Sequence, residues 1–234
     1  MNKSKGGLLI AFDGIDSSGK ATHTQELVRR LRYNGHTVHF FQSPDYSTET
    51  GKYIKKLLQD PVSWAKILWP ERMKLFADNR AEHRAEVVKA LSRGEHVVYD
   101  RYVASSISFF TVEALVADPH ARREEIQKQV AECEYVQNKM PKENVSIFLD
   151  VPVDVSRALL EKRKKKRSDA AEYTDADDVQ RKLYNEYDLM CLAHPEQFLR
   201  IHSVSGSELL SIPDVAELVW QGLLNRFPEL RLKP

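Results

Sequence analysis

The run Leu8-Leu9-Ile10-Ala11-Phe12-Asp13-Gly14-Ile15-Asp16-Ser17-Ser18-Gly19-Lys20 leaves this chain little freedom in how it can fold. A short apolar stretch suited to a buried strand leads into a turn with glycine at each end. The residues after Lys20 then put Leu27, Val28 and Leu31 on one face of a helix. Strand, glycine turn and helix in this order direct backbone N–H groups at an anion held at a positive helix N-terminus. The glycines let the backbone curl without a Cβ in the way, and Lys20 adds a mobile charge that can reach outer phosphates. The spacing G-x-x-x-x-G-K makes Gly14, Asp16, Ser17, Ser18, Gly19, Lys20, Ala21 and Thr22 the expected ATP-binding residues. The pattern normally continues with Ser or Thr, whose hydroxyl touches Mg²⁺; here Ala21 stands in that place. A glycine-rich turn with a solvent-facing lysine is the plainer alternative, but it accounts for neither the glycine spacing nor the lysine's position.

Further along, strand-like and helix-like segments alternate. Strands are expected at 36–41, 97–99, 145–149 and 198–201. Helices are expected from Ser47 or Glu49 to Leu58, from Pro70 to Gly94 with Leu75, Phe76, Val87, Val88 and Leu91 inward, over 103–116, over 122–137 and before Phe227. Short apolar strands between helices imply a parallel sheet covered on both faces, hence the α/β class. The 234 residues suit one domain, 1–234, with no linker or repeat dividing it. The least regular piece is expected around 164–174, within a charged lid at about 162–174.

Charge narrows the function classes. With 35 basic and 34 acidic residues, net charge is near +1, which supplies no field for nucleic acid or an anionic membrane. No apolar run is long enough to span a bilayer. Cys133 and Cys191 have no metal-ligand spacing and are expected as buried or free thiols. Met1 to Lys5 run almost straight into the first strand, so no signal peptide and a cytoplasmic location are expected.

Three more constellations bear on chemistry. Asp100-Arg101-Tyr102 follows the strand Val97–Tyr99, at the strand end where ligands of open parallel sheets bind. Asp100 could hold a metal-bound water there, and Arg101 could bridge phosphates as charge develops. Phe76 and Arg80, four residues apart on one helical face, could stack on a base and donate to its carbonyl. Taken alone, Phe76 is more often a core residue and Arg80 a solvated charge. The run Lys162-Arg163-Lys164-Lys165-Lys166-Arg167 is a solvated helix end or a lid that closes over ATP.

Taken in order, these segments resemble the thymidylate kinases, a family of P-loop nucleoside-monophosphate kinases. The resemblance rests on Asp13 to Lys20, Ser43-Pro44-Asp45-Tyr46-Ser47-Thr48-Glu49, Leu75 to Arg80, Asp100 to Ser106 and Leu149-Asp150-Val151-Pro152. It implies a P-loop NTPase three-layer sandwich, with a five-stranded parallel sheet between helices and a short lid, assembled as a homodimer. The implied reaction is ATP + dTMP → ADP + dTDP with Mg²⁺. Phe76 would stack on thymine and Arg80 would bond its carbonyl edge. Asp16 would hold the sugar 3′-hydroxyl and help place the metal. Arg101 would bind phosphate, while Ser105, Ser106 and Phe109 would line the pocket.

Departures from the family pattern carry expectations of their own. Without a hydroxyl at Ala21, Asp16 with Asp100 or Glu172 is expected to complete the Mg²⁺ shell. Tyr46 stands where an arginine is common, which shifts phosphate binding toward Arg101. Phe109 and Phe110 replace polar residues. Ser17 is not the loop arginine of one subgroup, so the catalytic arginine is expected in the lid, as Arg163 or Arg167. Two other functions fit less of the chain: a kinase for another nucleotide or a deoxynucleoside, and a nucleotide-binding protein that has lost catalysis.

Overall fold

The computed structural model describes residues 6–167, 177–206 and 208–231, with the backbone alone at 163–167 and 177. Five strands form one parallel sheet: β1 (Leu9–Asp13), β2 (Val38–Gln42), β3 (His96–Asp100), β4 (Val145–Asp150) and β5 (Phe198–His202), in spatial order β2-β3-β1-β4-β5. The chain leaves β1 for one side of the sheet and later crosses back from β3 to β4. The loops after β1 and β3 therefore open side by side at the carboxyl edge. The register pairs Phe12 with Asp100, and the Arg101 N–H donates to the Phe12 carbonyl at 2.9 Å.

Strand periodicity sorts the core into two layers. Ile10, Phe12, Val98, Ile147 and Leu149 face α1 (Lys20–Tyr33) and α10 (Ile212–Arg226), where Leu27, Val28, Leu31, Val219 and Leu223 close the first layer. Leu9, Ala11, Val97 and Tyr99 face the opposite way, toward α5 (Arg84–Ser92) and α6 (Val103–Ala117). Each fully buried Leu, Val or Phe contributes about 1.5–3 kcal/mol, so a strand buried on both faces is firmly seated. This is the expected three-layer α/β sandwich with its five-stranded parallel sheet.

The elements around the site differ from the sequence expectation in several places. Thr48, not Ser47, caps α2 (Glu49–Leu58), its hydroxyl accepting from the Gly51 N–H at 3.0 Å. Gly51 cannot carry a side chain, since a Cβ there would lie 1.7 Å from the Asp45 carbonyl oxygen. A further short helix, α3 (Pro61–Lys66), is capped by Asp60, and an antiparallel pair, β6 (Val204–Ser205) and β7 (Glu208–Leu209), follows β5. The long helix expected after Pro70 is two, α4 (Trp69–Ala81) and α5, separated at Glu82–His83. His83 sits at the break, bonded through Nε2 to Asp45 at 3.0 Å and packed on the Phe41 ring at 5.1 Å. Val87 is buried there, but Val88 is 42% exposed and not inward as expected.

The helix expected over 122–137 is α7 (Arg123–Ala131) running into a π-helical turn, Glu132–Gln137. The lid stretch also starts more regularly than its charge suggested. Helix α8 (Val153–Arg167) carries through Arg167, and α9 (Asp177–Ala193) follows.

Candidate active site

Tight geometry sets the loop after β1. Gly14 and Gly19 have φ of 145° and 89°, and Ser17 is held at 57°, a left-handed conformation that costs a side-chain-bearing residue about 1–2 kcal/mol. Lys20 begins α1, is buried, and reaches back so that Nζ donates to the Ile15 carbonyl at 2.7 Å and lies 3.5 Å from Ser18 Oγ. Burial, then the neighbouring charge of Arg101, pull its pKa down to about 7 from 10.5; Asp16 and Asp100 offset part of this.

Arg101 also has a positive φ, 66°, which turns it from the end of β3 back across the loop. Its Nη1 donates to the Gly14 carbonyl at 3.1 Å and its Nη2 pairs with Asp16 Oδ1. Burial works against the guanidinium's charge, and Asp16 more than offsets it, so the pKa of Arg101 is raised. The second oxygen of Asp16 accepts from Gln180 at 2.8 Å, and Gln180 also accepts from the Asp16 backbone N–H at 2.9 Å. Beneath this pair, Asp13 Oδ1 accepts from Ser105 at 2.6 Å, and Ser105 lies 2.9 Å from the Tyr187 hydroxyl.

Two cavities open at this edge of the sheet. The larger, about 640 Å³, is lined by the loop from Asp16 to His23, by Asp100, Arg101 and Lys162, and by an apolar wall including Leu209, Leu210 and Ile212. The smaller, about 130 Å³, is lined by Tyr46, Phe76, Arg80, Ser105, Ser106 and Phe109, among others. Asp16 and Arg101 line both. Lys20 and Arg101, predicted from separate motifs, thus share one crevice.

In the smaller cavity the Phe76 ring lies 6.1 Å from Phe109 at 33° and 5.5 Å from Phe110 edge-on. Arg80 is buried, its Nη1 paired with Glu134 and its Nη2 donating to Ser106 Oγ at 3.0 Å. Burial opposes its charge, and Glu134 more than restores it, which raises the pKa of Arg80. Tyr46 carries no charge of its own, but the Lys55 ammonium lies 5.9 Å from its ring centroid.

A divalent cation at this edge would need oxygen donors, and the chain has them. Asp16 and Asp100 line the larger cavity; both oxygens of Asp16 are engaged by Arg101 and Gln180, whereas the Asp100 side chain has no hydrogen-bond partner among the described residues. Burial first pushes the Asp100 pKa up, with Lys20 and Arg101 acting against the rise. One or two carboxylates plus phosphate oxygens and water is the usual Mg²⁺ arrangement, so the residues fit it. Ala21 and Thr22 line the same cavity, and both are exposed. Glu172 and the side chains of Arg163 and Arg167 lie outside the described residues.

Sequence reasoning missed Gln180, Tyr187 and Glu134. The first two reach the site from α9, more than 80 residues beyond the segments they touch. Glu134 left one signal, a charged residue beside Val130 and Cys133 on the buried side of its helix.

A nucleotide loop and an arginine from the neighbouring strand, facing two adjoining cavities on a parallel sheet, define a P-loop phosphotransferase. A solved thymidylate kinase from Candida albicans has the same fold, with a TM-score of 0.71 at 20% identity, covering 98% of this chain and 96% of that one. A probable thymidylate kinase of Pyrococcus horikoshii is 29% identical over 221 residues, covering 93% of this chain and 98% of its own. A thymidylate kinase of a Synechococcus strain is 27% identical over 225 residues, covering 94% and 96%. The thymidylate kinase family model matches residues 12–204, and the chain belongs to that family. It is an enzyme of ATP-dependent phosphoryl transfer to dTMP, giving dTDP and ADP.

Proposed function

We propose that ATP occupies the larger cavity and dTMP the smaller, with their phosphates meeting at Asp16 and Arg101. The observation that carries this reading is that these two residues line both cavities. The apolar wall of Leu209, Leu210 and Ile212 suits a purine, and the Phe76 ring suits a pyrimidine stacked on it, with Phe109 lining the pocket beside them.

Phosphoryl transfer needs two anions brought into line and their charge neutralised, with little covalent help from the protein. Lys20 follows the outer phosphates of ATP. Arg101 holds the dTMP phosphate and the transferring group together, and Asp16 orients that guanidinium while accepting from the sugar 3′-hydroxyl. Tyr46 donates one hydrogen bond to the dTMP phosphate. Ser105 and Ser106 close the sugar and base pocket, and Arg80 donates to the base carbonyl. Arg163 or Arg167 supplies the lid charge. Mg²⁺, when bound, neutralises phosphate charge; Asp100 would hold it through water, with Asp16 beside it and Glu172 as a further ligand. The whole chain, 1–234, acts as one catalytic unit.

An ADP-coupled assay with dTMP, dUMP, dCMP, dAMP and thymidine, run with Mg²⁺ and with chelator, tests the reading. Turnover is expected to be highest with dTMP and abolished by chelation. Robust turnover of thymidine without dTMP, or full activity in chelator, overturns it. A homodimer is expected from the family resemblance, and a cytoplasmic location from the sequence. Light scattering of the purified protein at twice 27.0 kDa checks the dimer, and cell fractionation checks the location.

A further inference from the structure

Arg80 and Glu134 form a buried pair joining α4 to the π-helical turn, with 2% and 0% of their surfaces exposed. Resting on the reading that the smaller cavity takes the base of dTMP, we propose that Glu134 is the positioning residue that fixes the orientation in which the Arg80 guanidinium presents its donors to that base, and so sets which pyrimidine is accepted.

The first support is chemical. A guanidinium has five N–H donors and no acceptor. Glu134 takes Nη1, Ser106 takes Nη2 at 3.0 Å, and Nε has no partner among the described residues although it is buried. Arg80 also lies over the Tyr102 ring, 5.5 Å from its centroid, so three neighbours fix its plane while it lines the cavity. A donor-only edge suits the 4-carbonyl of thymine or uracil. It opposes the 4-amino group of cytosine, which would leave donor facing donor in a buried site.

The second support is the backbone. Glu134 stands within a π-helical turn, where the Asn138 N–H reaches the Cys133 carbonyl at 3.0 Å. Such turns shift the direction of side chains relative to an α-helix and recur at functional sites. Here the turn sets a carboxylate among buried residues, in line with Arg80. Glu134 Oε2 has no partner among the described residues, so the carboxylate's only hydrogen-bonded task there is Arg80. Arg80 lines the cavity while Glu134 does not, so Glu134 reaches a bound base only through the guanidinium it holds.

Glu134→Gln and Glu134→Asp, assayed with dTMP, dCMP and ATP and melted in parallel, separate these roles. Glu134→Gln is expected to raise the dTMP KM at least about tenfold, keep kcat within about threefold, leave the ATP KM unmoved and lower the dTMP-to-dCMP ratio of kcat/KM about tenfold. Glu134→Asp, which keeps the charge, is expected to fall between wild type and Glu134→Gln. A merely structural pair would instead lower the melting temperature with the dTMP KM and the ratio unchanged, and that result overturns the proposal. Should Glu134→Gln fail to fold, an unchanged KM and ratio in Glu134→Asp overturns it equally. If Phe76→Ala leaves the dTMP KM at its wild-type value, the base binds elsewhere, and the underlying reading has failed together with the inference.

Discussion

Lys20→Ala is expected to lower kcat by about 10²–10³-fold, the usual loss when a preorganised donor to developing charge is removed. Its melting temperature at neutral pH should stay level or rise. Burial and Arg101 depress the Lys20 pKa to about 7 in the folded, nucleotide-free protein, against 10.5 for an ordinary lysine. Between those values the unfolded chain binds one more proton than the folded one. This group's contribution to stability therefore rises with pH across that window, and its cost is greatest below about pH 7. Polyphosphate beside Lys20 reverses the depression, so ATP binding at pH 8 should take up a proton. Titration calorimetry in buffers of different ionisation enthalpy reads that uptake, and Lys20→Met should abolish it. Near-normal turnover in Lys20→Ala would remove the loop from the mechanism.

The second large effect is expected at Arg101. Arg101→Ala should lower kcat/KM for dTMP by about 10³-fold, since one side chain both holds Asp16 and lines the two cavities. Stability should fall by about 1–3 kcal/mol, between the limits for surface and buried pairs, because both partners are partly exposed. Arg101→Gly adds a discriminating arm. It loses the same chemistry but relieves the positive φ at this position, and should be about 1 kcal/mol more stable than Arg101→Ala. Arg101→Lys keeps a charge without the fork and should recover only part of the activity. Steady-state kinetics with denaturant melts of the three variants check the series. Equal activity in wild type and Arg101→Ala would mean that the two cavities do not meet at a shared catalytic arginine.

Much of this was legible beforehand because it is written in local terms. The spacing of Gly14, Gly19 and Lys20 reports a backbone path, and the unbroken apolar run Leu9–Phe12 reports a strand buried on both faces. Asp100 and Arg101 could be assigned to the carboxyl edge as soon as Val97–Tyr99 read as a parallel strand. Gly51 was opaque, since its need for no side chain comes from the Asp45 carbonyl passing close to it. The break at His83 was opaque for a similar reason, its partners being Asp45 and Phe41 on another element.

Chain chemistry was enough to specify the phosphate loop, the parallel sheet and the two basic groups at its edge, because each depends on neighbours a few residues away. Packing alone settled that Asp100, more than Asp16, has an open carboxylate, that Gln180 and Tyr187 arrive from α9, and that a π-helical turn delivers Glu134 to Arg80. Those arrangements join segments tens of residues apart, and buried charges find partners only when the three-dimensional fold closes around them.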